Sequence, residues 1–274
     1  MTFYERLMNL DRRWVYLVVG IAVIIPALYP FVVPVYVTPE TKAIYDFVES
    51  LKPGDILFLA IDYDPQAMAE THPMAQSIMR QCFSKNVKLI ISALSQNGPG
   101  MAEQLISEQA KEFNKKSGID YCYLGYKPYP GIVILLMGQN FRIPFPADYY
   151  GVPLDSLPMM RGVRNYDNVK AVIDISATSG TDYWILYANG RYNVKLAIGV
   201  TGVMTANYYP YYQSGQIFGL MGGLKGASEY ETLSKQGDRA IKMMSIQTTA
   251  HIVIILFIVV GNIGYFMSRK KKKQ

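Results

Sequence analysis

Residues 56–64 read ILFLAIDYD, an apolar run that ends in two aspartates separated by one tyrosine. Such a short apolar run is typical of a strand that is covered on both faces of a sheet. Similar runs alternate with amphipathic helical patterns along the chain, and they occupy residues 87–93, 120–126, 169–176 and 194–200. This alternation predicts βαβ units with parallel strands. We therefore predict a Rossmann-like or flavodoxin-like three-layer α/β domain with a mostly parallel sheet of five or six strands.

The segments between the strands carry helix signals, and several helix boundaries follow from them. Proline suits the first turn of a helix, so we expect a helix to begin at Pro73 and His72 to be a surface cap before it. Residues 132–137 are apolar throughout and fit either a strand or the start of a crossover helix. A last helix from about Tyr230 is expected to run without a break into an apolar segment near the end of the chain.

Two apolar segments, residues 14–37 and 250–267, lie near the ends of the chain. A bilayer core about 30 Å thick needs about 20 helical residues, so we predict N- and C-terminal transmembrane helices that flank the α/β domain. Eight basic residues lie just outside the two segments: Arg6, Arg12, Arg13, Arg269, Lys270, Lys271, Lys272 and Lys273. The excess positive charge of the chain therefore flanks the two apolar segments, which is where basic residues determine the orientation of a membrane protein.

The charge partition predicts the topology and excludes one class of partner. Removing these eight from the 27 basic residues, and Glu5 and Asp11 from the 21 acidic ones, leaves 19 of each between the segments. A neutral domain gives no reason to expect nucleic acid as a partner. The positive-inside rule makes residues 1–13 and 268–274 cytoplasmic tails. Residues 38–249 are then an extracytoplasmic or periplasmic domain on the cell (inner) membrane, with the lipid bilayer as a partner.

The apolar segments also contain candidates for contacts with other proteins. Pro26, Pro30 and Pro34 recur every four residues, and each removes a helical hydrogen bond. The outer half of the first segment is therefore expected to bend and pack against another protein helix or lie among headgroups. Alternatively, the helix simply ends near Tyr29. Asn262 is polar at membrane depth and would prefer a partner on another helix, unless it reaches the headgroups.

A tyrosine-rich stretch offers a second candidate interface. Residues 208–212 read YYPYY, which supplies Tyr208, Tyr209, Tyr211 and Tyr212. Tyrosine is enriched at protein interfaces because it combines a large apolar area with a polar tip. We expect these rings either to form a contact surface or to seal the edge of the sheet and rest on headgroups.

Polar residues follow several of the predicted strands, and ligands bind beyond the carboxyl ends of strands in open parallel sheets. The segments that would meet there are residues 62–64, 92–100, 174–180 and 201–205. The ligand-binding candidates in them are Asp62, Asp64, Ser92, Asp174, Ser176 and Thr201. The alternative is structural: Asp64 caps the turn before Pro65, and Asp62 binds loop amides.

The Asp62-x-Asp64 pattern after an apolar strand resembles the first motif of the haloacid-dehalogenase-like phosphatases, and Ser92 resembles their second. The resemblance implies metal-dependent phosphoryl chemistry, with Asp62 as the nucleophile and both carboxylates as oxygen ligands. Gln66 stands where that family has Thr or Val, and Asp174 stands alone where the family has an acidic pair. The hydrolase is therefore kept as an alternative.

The sequence lacks the motifs that other classes of catalytic site require. The two histidines are His72 and His251, and no Gly-x-Ser-x-Gly, phosphate loop or zinc-ligand spacing is present in the sequence. We assign no catalytic residue, no metal site and no cofactor. Cys82 and Cys122 lie in apolar contexts and are expected to be small core residues, with a disulfide as the alternative.

These observations favour a non-enzymatic two-span membrane protein. Its α/β domain would act as a structural or interaction subunit of a larger membrane assembly, with other membrane subunits or further copies of itself as partners. The first alternative is an extracytoplasmic domain that binds or senses a small ligand. The second is a metal-dependent phosphoryl hydrolase that uses Asp62 and Asp64.

Overall fold

The structure is a computed structural model that describes residues 11–235 and 239–271. The chain divides into two compact units, of which residues 35–240 form one and the two terminal segments form the other. The helices, in chain order, are α1 (Arg12–Leu28), α2 (Pro39–Ser50), α3 (Met68–Ser84), α4 (Pro99–Glu112), α5 (Pro130–Met137), α6 (Gly180–Tyr183), α7 (Gly190–Tyr192), α8 (Thr205–Gln213), α9 (Gly223–Ser234) and α10 (Arg239–Lys271). A π-helical segment, Trp184–Asn189, joins α6 to α7.

The first unit is built on one sheet, to which the described residues contribute six strands. The strands are β1 (Ile56–Asp62), β2 (Lys88–Ser92), β3 (Tyr121–Gly125), β4 (Val172–Ser176), β5 (Leu196–Val200) and β6 (Gly219–Gly222). Their order across the sheet is β3-β2-β1-β4-β5-β6, and the neighbouring strands are parallel. This is the Rossmann order, so the chain direction across the sheet reverses between β1 and β4. The predicted parallel sheet with helices around it is confirmed.

Helices cover both faces of the sheet and make three layers. One layer holds α2, α3, α4 and α9, which pack on one another and on β2, β4, β5 and β6. The other holds α5, the α6–α7 helix and α8. Side chains alternate along a strand, so Phe58, Ala60 and Asp62 of β1 face this second layer. There the Phe58 ring lies 5.4 Å, centroid to centroid, from the buried indole of Trp184.

One expected helix boundary in the first unit is wrong, and one open alternative is decided by the structure. The helix expected from Pro73 begins at Met68, and His72 is buried rather than a surface cap. The Tyr63 hydroxyl lies 3.0 Å from His72 Nδ1, and burial lowers the pKa of His72. The apolar residues 132–137 form a helix, α5, rather than a strand.

The expected unbroken helix from Tyr230 into the last apolar segment is also wrong. Tyr230 lies inside α9, which ends at Ser234. Lys235 follows in the left-handed region, with φ at 54°, and its N–H bonds to the carbonyl of Thr232. A left-handed residue of this kind is a common helix terminator. The next helix, α10, starts at Arg239.

The terminal unit contains α1 and most of α10. Asp11 caps α1 by accepting a hydrogen bond of 3.0 Å from the N–H of Arg13. The helix includes Pro26 and ends at Leu28, which agrees with the alternative in which it ends near Tyr29. Its 17 residues span about 25 Å at 1.5 Å per residue, less than the thickness of a hydrocarbon core. Residues 14–37 are therefore not one continuous spanning helix.

Among the described residues, one helix is long and apolar enough to cross a membrane, over Arg239–Met267. This is the C-terminal segment that the sequence predicts, with an earlier start. Asn262 donates a hydrogen bond of 2.9 Å from Nδ2 to the carbonyl of Ile258, one turn earlier in the same helix. Its amide is therefore bonded within α10. Pro26 is buried in α1, and Pro30 lies in the exposed stretch that follows α1.

Candidate functional site

A cavity of about 380 Å³ opens at the carboxyl ends of β1 and β4, where the sheet order reverses. Its wall is formed by Asp62 and Asp64 after β1, residues 94–96 after β2, residues 178–180 after β4, and Pro130 and Tyr183. Ligands of open α/β sheets bind at such a switch point. The cavity therefore lies where the topology predicts a site.

A larger hollow of about 660 Å³ lies at the opposite edge, beside the amino ends of β5 and β6. It is lined by Phe47, Lys195 and Phe218 among others, and the Lys195 ammonium lies 5.7 Å from the centre of the Phe47 ring. The amino ends of parallel strands are not where this fold binds ligands. We therefore take the cavity at the switch point as the candidate site.

Asp62 forms the floor of the cavity and is only 2% exposed. Its Oδ1 accepts a hydrogen bond of 2.6 Å from the N–H of Leu94, and its Oδ2 accepts one of 2.9 Å from Nε1 of Trp184. Burial raises the pKa of Asp62 to about 6, although these two donors favour its ionised form. The carboxyl is therefore a bonded anion near neutral pH, held in a fixed orientation.

Asp174 lies on the same face of the sheet, on the neighbouring strand. Asp62 is paired with Ser176, and Asp174 precedes Ser176 by two residues. The Asp174 carboxyl is fully buried and accepts a hydrogen bond of 2.7 Å from Thr181 through Oδ2. Burial raises the pKa of Asp174 well above its ordinary value, and the Asp62 charge raises it further. Asp174 therefore keeps its proton while Asp62 ionises.

Two buried side-chain atoms in the described part of the chain have no hydrogen-bond partner, and both lie beneath this cavity. They are Oδ1 of Asp174 and Oγ of Ser92. Both residues are paired with Ala60, one on each side of β1, so they belong to one row across the sheet. Unsatisfied buried polar atoms are costly, and natural proteins hold few of them. This row lies one step below Asp62 on the same face of the sheet.

The remaining candidates divide between this cavity and other places. Ser176 is bonded locally: its hydroxyl lies 3.2 Å from the carbonyls of Asp62 and Thr178, and it accepts the N–H of Thr178. Asp64 accepts a hydrogen bond from the Ser95 hydroxyl and does not cap the turn that follows. Thr201 lies after β5 and is not part of the cavity wall.

Sequence reasoning missed the residues that the second helix layer contributes. Trp184 bonds Asp62, and Thr181 bonds Asp174, both from the helix that follows β4. Tyr183 forms part of the cavity wall. The sequence did indicate that some side chains of this helix would lie near the strand ends, because a helix that follows β4 must pack back against the sheet. The buried face itself could not be identified, since a π-helical segment changes the spacing of side chains.

The tyrosine-rich stretch forms α8 and mostly covers the sheet edge. Tyr208 is buried, and its hydroxyl donates a hydrogen bond of 3.0 Å to Oδ1 of Asp182. Tyr211 and Tyr212 pack against the core, while Tyr209 is 41% exposed. Three of the four rings are therefore buried or partly buried within the domain.

The geometry does not favour the phosphoryl hydrolase. Both oxygens of Asp62 accept hydrogen bonds from the protein, so the carboxyl is held in a fixed orientation. Within the described residues, no group of three or more His, Cys, Asp or Glu side chains is placed to hold a metal ion. Cys82 and Cys122 are free and buried, so the alternative of a disulfide between them is wrong.

Comparison of the chain with protein-family models, curated proteins and solved structures finds no match. The geometry at the switch point is therefore the basis for the function that we propose. It combines a concave polar cavity, a fixed buried carboxylate and a neutral carboxyl behind it.

Proposed function

We propose that this chain is a membrane-anchored binding protein whose α/β domain holds a small polar ligand at the carboxyl ends of β1 and β4. The single observation that carries the proposal is the cavity at the switch point with the buried Asp62 carboxylate as its floor. Binding sites are concave and few, with a small number of fixed polar groups that orient the ligand. Asp62 fits that description because Trp184 and Leu94 hold both of its oxygens.

The anchoring part of the proposal rests on the apolar segments and their flanking charge. The C-terminal helix holds the domain at the membrane, and the shorter N-terminal helix with the apolar stretch after it forms a second attachment. With the basic end of this C-terminal helix in the cytoplasm, the domain is extracytoplasmic or periplasmic. A cytoplasm-only reporter fused after Tyr150 is expected to be silent, and a signal from it would reverse this orientation.

Binding is tested on the full chain in mild detergent, by thermal shift with a panel of small polar metabolites. We expect at least one compound to raise the melting temperature. Asp64→Asn, at the half-buried wall of the cavity, should remove most of that shift. Asp155→Asn is the matched control, because this carboxylate is exposed and pairs with Arg142, and neither residue lines the cavity. Equal shifts in both variants would place the ligand elsewhere.

The second candidate is an interaction subunit of a membrane assembly. It is supported by an exposed apolar group on the loop after α5, where Tyr149, Tyr150 and Val152 lie close in sequence and the two tyrosine rings meet edge to face. Exposed clusters of this kind commonly mark protein contacts. Extraction in mild detergent followed by mass measurement tests it. A monomer without a co-purifying protein would exclude it.

A further inference from the structure

We propose that the ligand is a small organic cation with an aromatic or branched apolar body. Its ammonium group binds against Asp62 and Asp64, and its apolar body lies in a second hollow between α5 and α6. This inference rests on the proposed binding function and names the chemistry of the same site.

The second hollow adjoins the carboxylate cavity. It measures about 400 Å³ and is lined by Tyr129, Pro130, Gly131, Ile132, Tyr183 and Tyr187. Pro130 and Tyr183 also line the carboxylate cavity, so the two hollows share one wall. Each is within the size range of small-molecule sites. A single ligand of modest size can therefore occupy both.

The apolar side of this bipartite site is preformed. The rings of Tyr183 and Tyr187 are nearly parallel, with an angle of 9° between their planes and 6.2 Å between their centroids. Gly131 allows the first turn of α5 to approach them, since a Cβ there would lie 3.1 Å from the Tyr183 ring and 3.2 Å from the Tyr187 ring. The two rings and the backbone of Gly131 together form a compact apolar wall.

Two large apolar side chains at the rim of this hollow are exposed. Tyr129, the residue before α5, is 74% exposed, and Ile132 in the first turn of α5 is 59% exposed. Tyr129 also adopts a left-handed conformation, with φ at 61°, which is unusual for a bulky residue. A ligand with an apolar body would cover both side chains.

The charge of the site selects a cation. Asp62 and Asp64 are the ionisable groups of the carboxylate cavity wall other than tyrosine, and no lysine, arginine or histidine lines either hollow in the described residues. A phosphate or carboxylate ligand would meet two carboxylates without a counter-charge. An ammonium group would gain charge-assisted hydrogen bonds and a favourable contact with the Tyr183 ring.

The experiment uses the full chain in mild detergent and calorimetric titration with four probes. The probes are 2-phenylethylamine, isoamylamine, 2-phenylethanol and phenylacetate. We expect both amines to bind, the alcohol to bind about tenfold more weakly, and phenylacetate not to bind. Amine affinity should fall with ionic strength because the carboxylate cavity is partly open to solvent.

Variants separate the two halves of the site. Asp64→Asn should weaken both amines about tenfold and leave the alcohol unchanged, whereas Ile132→Asn should weaken the amines and the alcohol alike. Asp155→Asn and Ile119→Asn are the matched controls, because both residues are exposed and line neither hollow. These two controls should bind as the unaltered chain does.

Three outcomes would overturn the inference: tighter binding of phenylacetate than of the amines, amine binding unaffected by Asp64→Asn, or no binding of either amine at millimolar concentration. The proposed function would still hold if another polar metabolite binds the unaltered chain and does not bind the Asp64→Asn variant. The proposed function and the inference would both be wrong if Asp64→Asn weakens the binding of no compound in either set of probes.

Discussion

The buried Asp62 carboxyl predicts a specific pH dependence of stability for the variant Asp62→Asn. Burial raises the pKa of Asp62 from its ordinary value of 3.8 to about 6. Between these values the folded state binds more protons than the unfolded state, so stability is lost as the pH rises. A pKa difference of about 2 corresponds to about 3 kcal/mol. The amide that replaces the carboxyl in this variant cannot ionise, so the variant escapes this loss.

The expected result is a difference between two curves. Relative to the unaltered chain, Asp62→Asn should gain about 3 kcal/mol of unfolding free energy between about pH 4 and about pH 7. The broken hydrogen bonds to Leu94 and Trp184 add a constant cost that does not vary with pH. His72 titrates in the opposite direction because burial lowers its pKa. The contribution of His72 is common to both proteins and cancels in the difference. The Asp62 charge raises the pKa of Asp174, so removing that charge lowers this pKa and adds to the gain of the variant at the upper end of the range.

The assay is denaturant unfolding of the full chain in detergent, followed by Trp184 fluorescence at a series of pH values. The sequence has two tryptophans, so a Trp14→Phe background leaves Trp184 as the sole reporter. Asp155→Asn serves as the control and should run parallel to the unaltered chain. A constant difference between Asp62→Asn and the unaltered chain from pH 4 to pH 7 would refute the assignment of a raised pKa to Asp62.

Three further substitutions test single contacts by the same unfolding measurement. Ser92→Ala removes a buried hydroxyl without a partner and should leave stability unchanged or raise it by up to about 1 kcal/mol; a clear loss would mean that the hydroxyl is bonded. Gly199→Ala places a Cβ 2.9 Å from Sδ of Met74 and should cost about 1–3 kcal/mol, and a neutral result would show that this layer relaxes freely. Tyr63→Phe leaves the buried His72 ring without its 3.0 Å partner and should cost about 1–3 kcal/mol; no loss would argue that this contact is not a hydrogen bond.

The sheet could be predicted from the sequence because each strand is a short apolar run and each is followed by a helix. Asp62 and Asp64 could be placed at the carboxyl edge because they directly follow the first run. By contrast, residues 132–137 are apolar on every side, so they carry no period that separates a helix from a strand. Pro73 was a misleading signal, since proline is favoured at the first turn but lies inside α3 here.

The relation between Asp62 and Asp174 could not be predicted, because it depends on strand register. Local sequence does not reveal that Asp62 is paired with Ser176 and that Ser92 and Asp174 flank Ala60. One partner of each carboxyl, Trp184 for Asp62 and Thr181 for Asp174, comes from a helix whose π-helical segment departs from the regular 3.6-residue period. The apolar hollow beside the cavity was missed for the same reason.

The π-helical segment Trp184–Asn189 has an evolutionary consequence. A π-helical turn holds one residue more than an α-helical turn, and such turns arise within α-helices at functional sites. Tyr183, the last residue of α6, lines the surface hollow, while Trp184, the first residue of the π-helical segment, reaches the buried Asp62. Losing a single codon from this turn would rotate one of the two away from its place. A change in the length of this helix would therefore alter the wall of the surface hollow and the support of Asp62 at the same time.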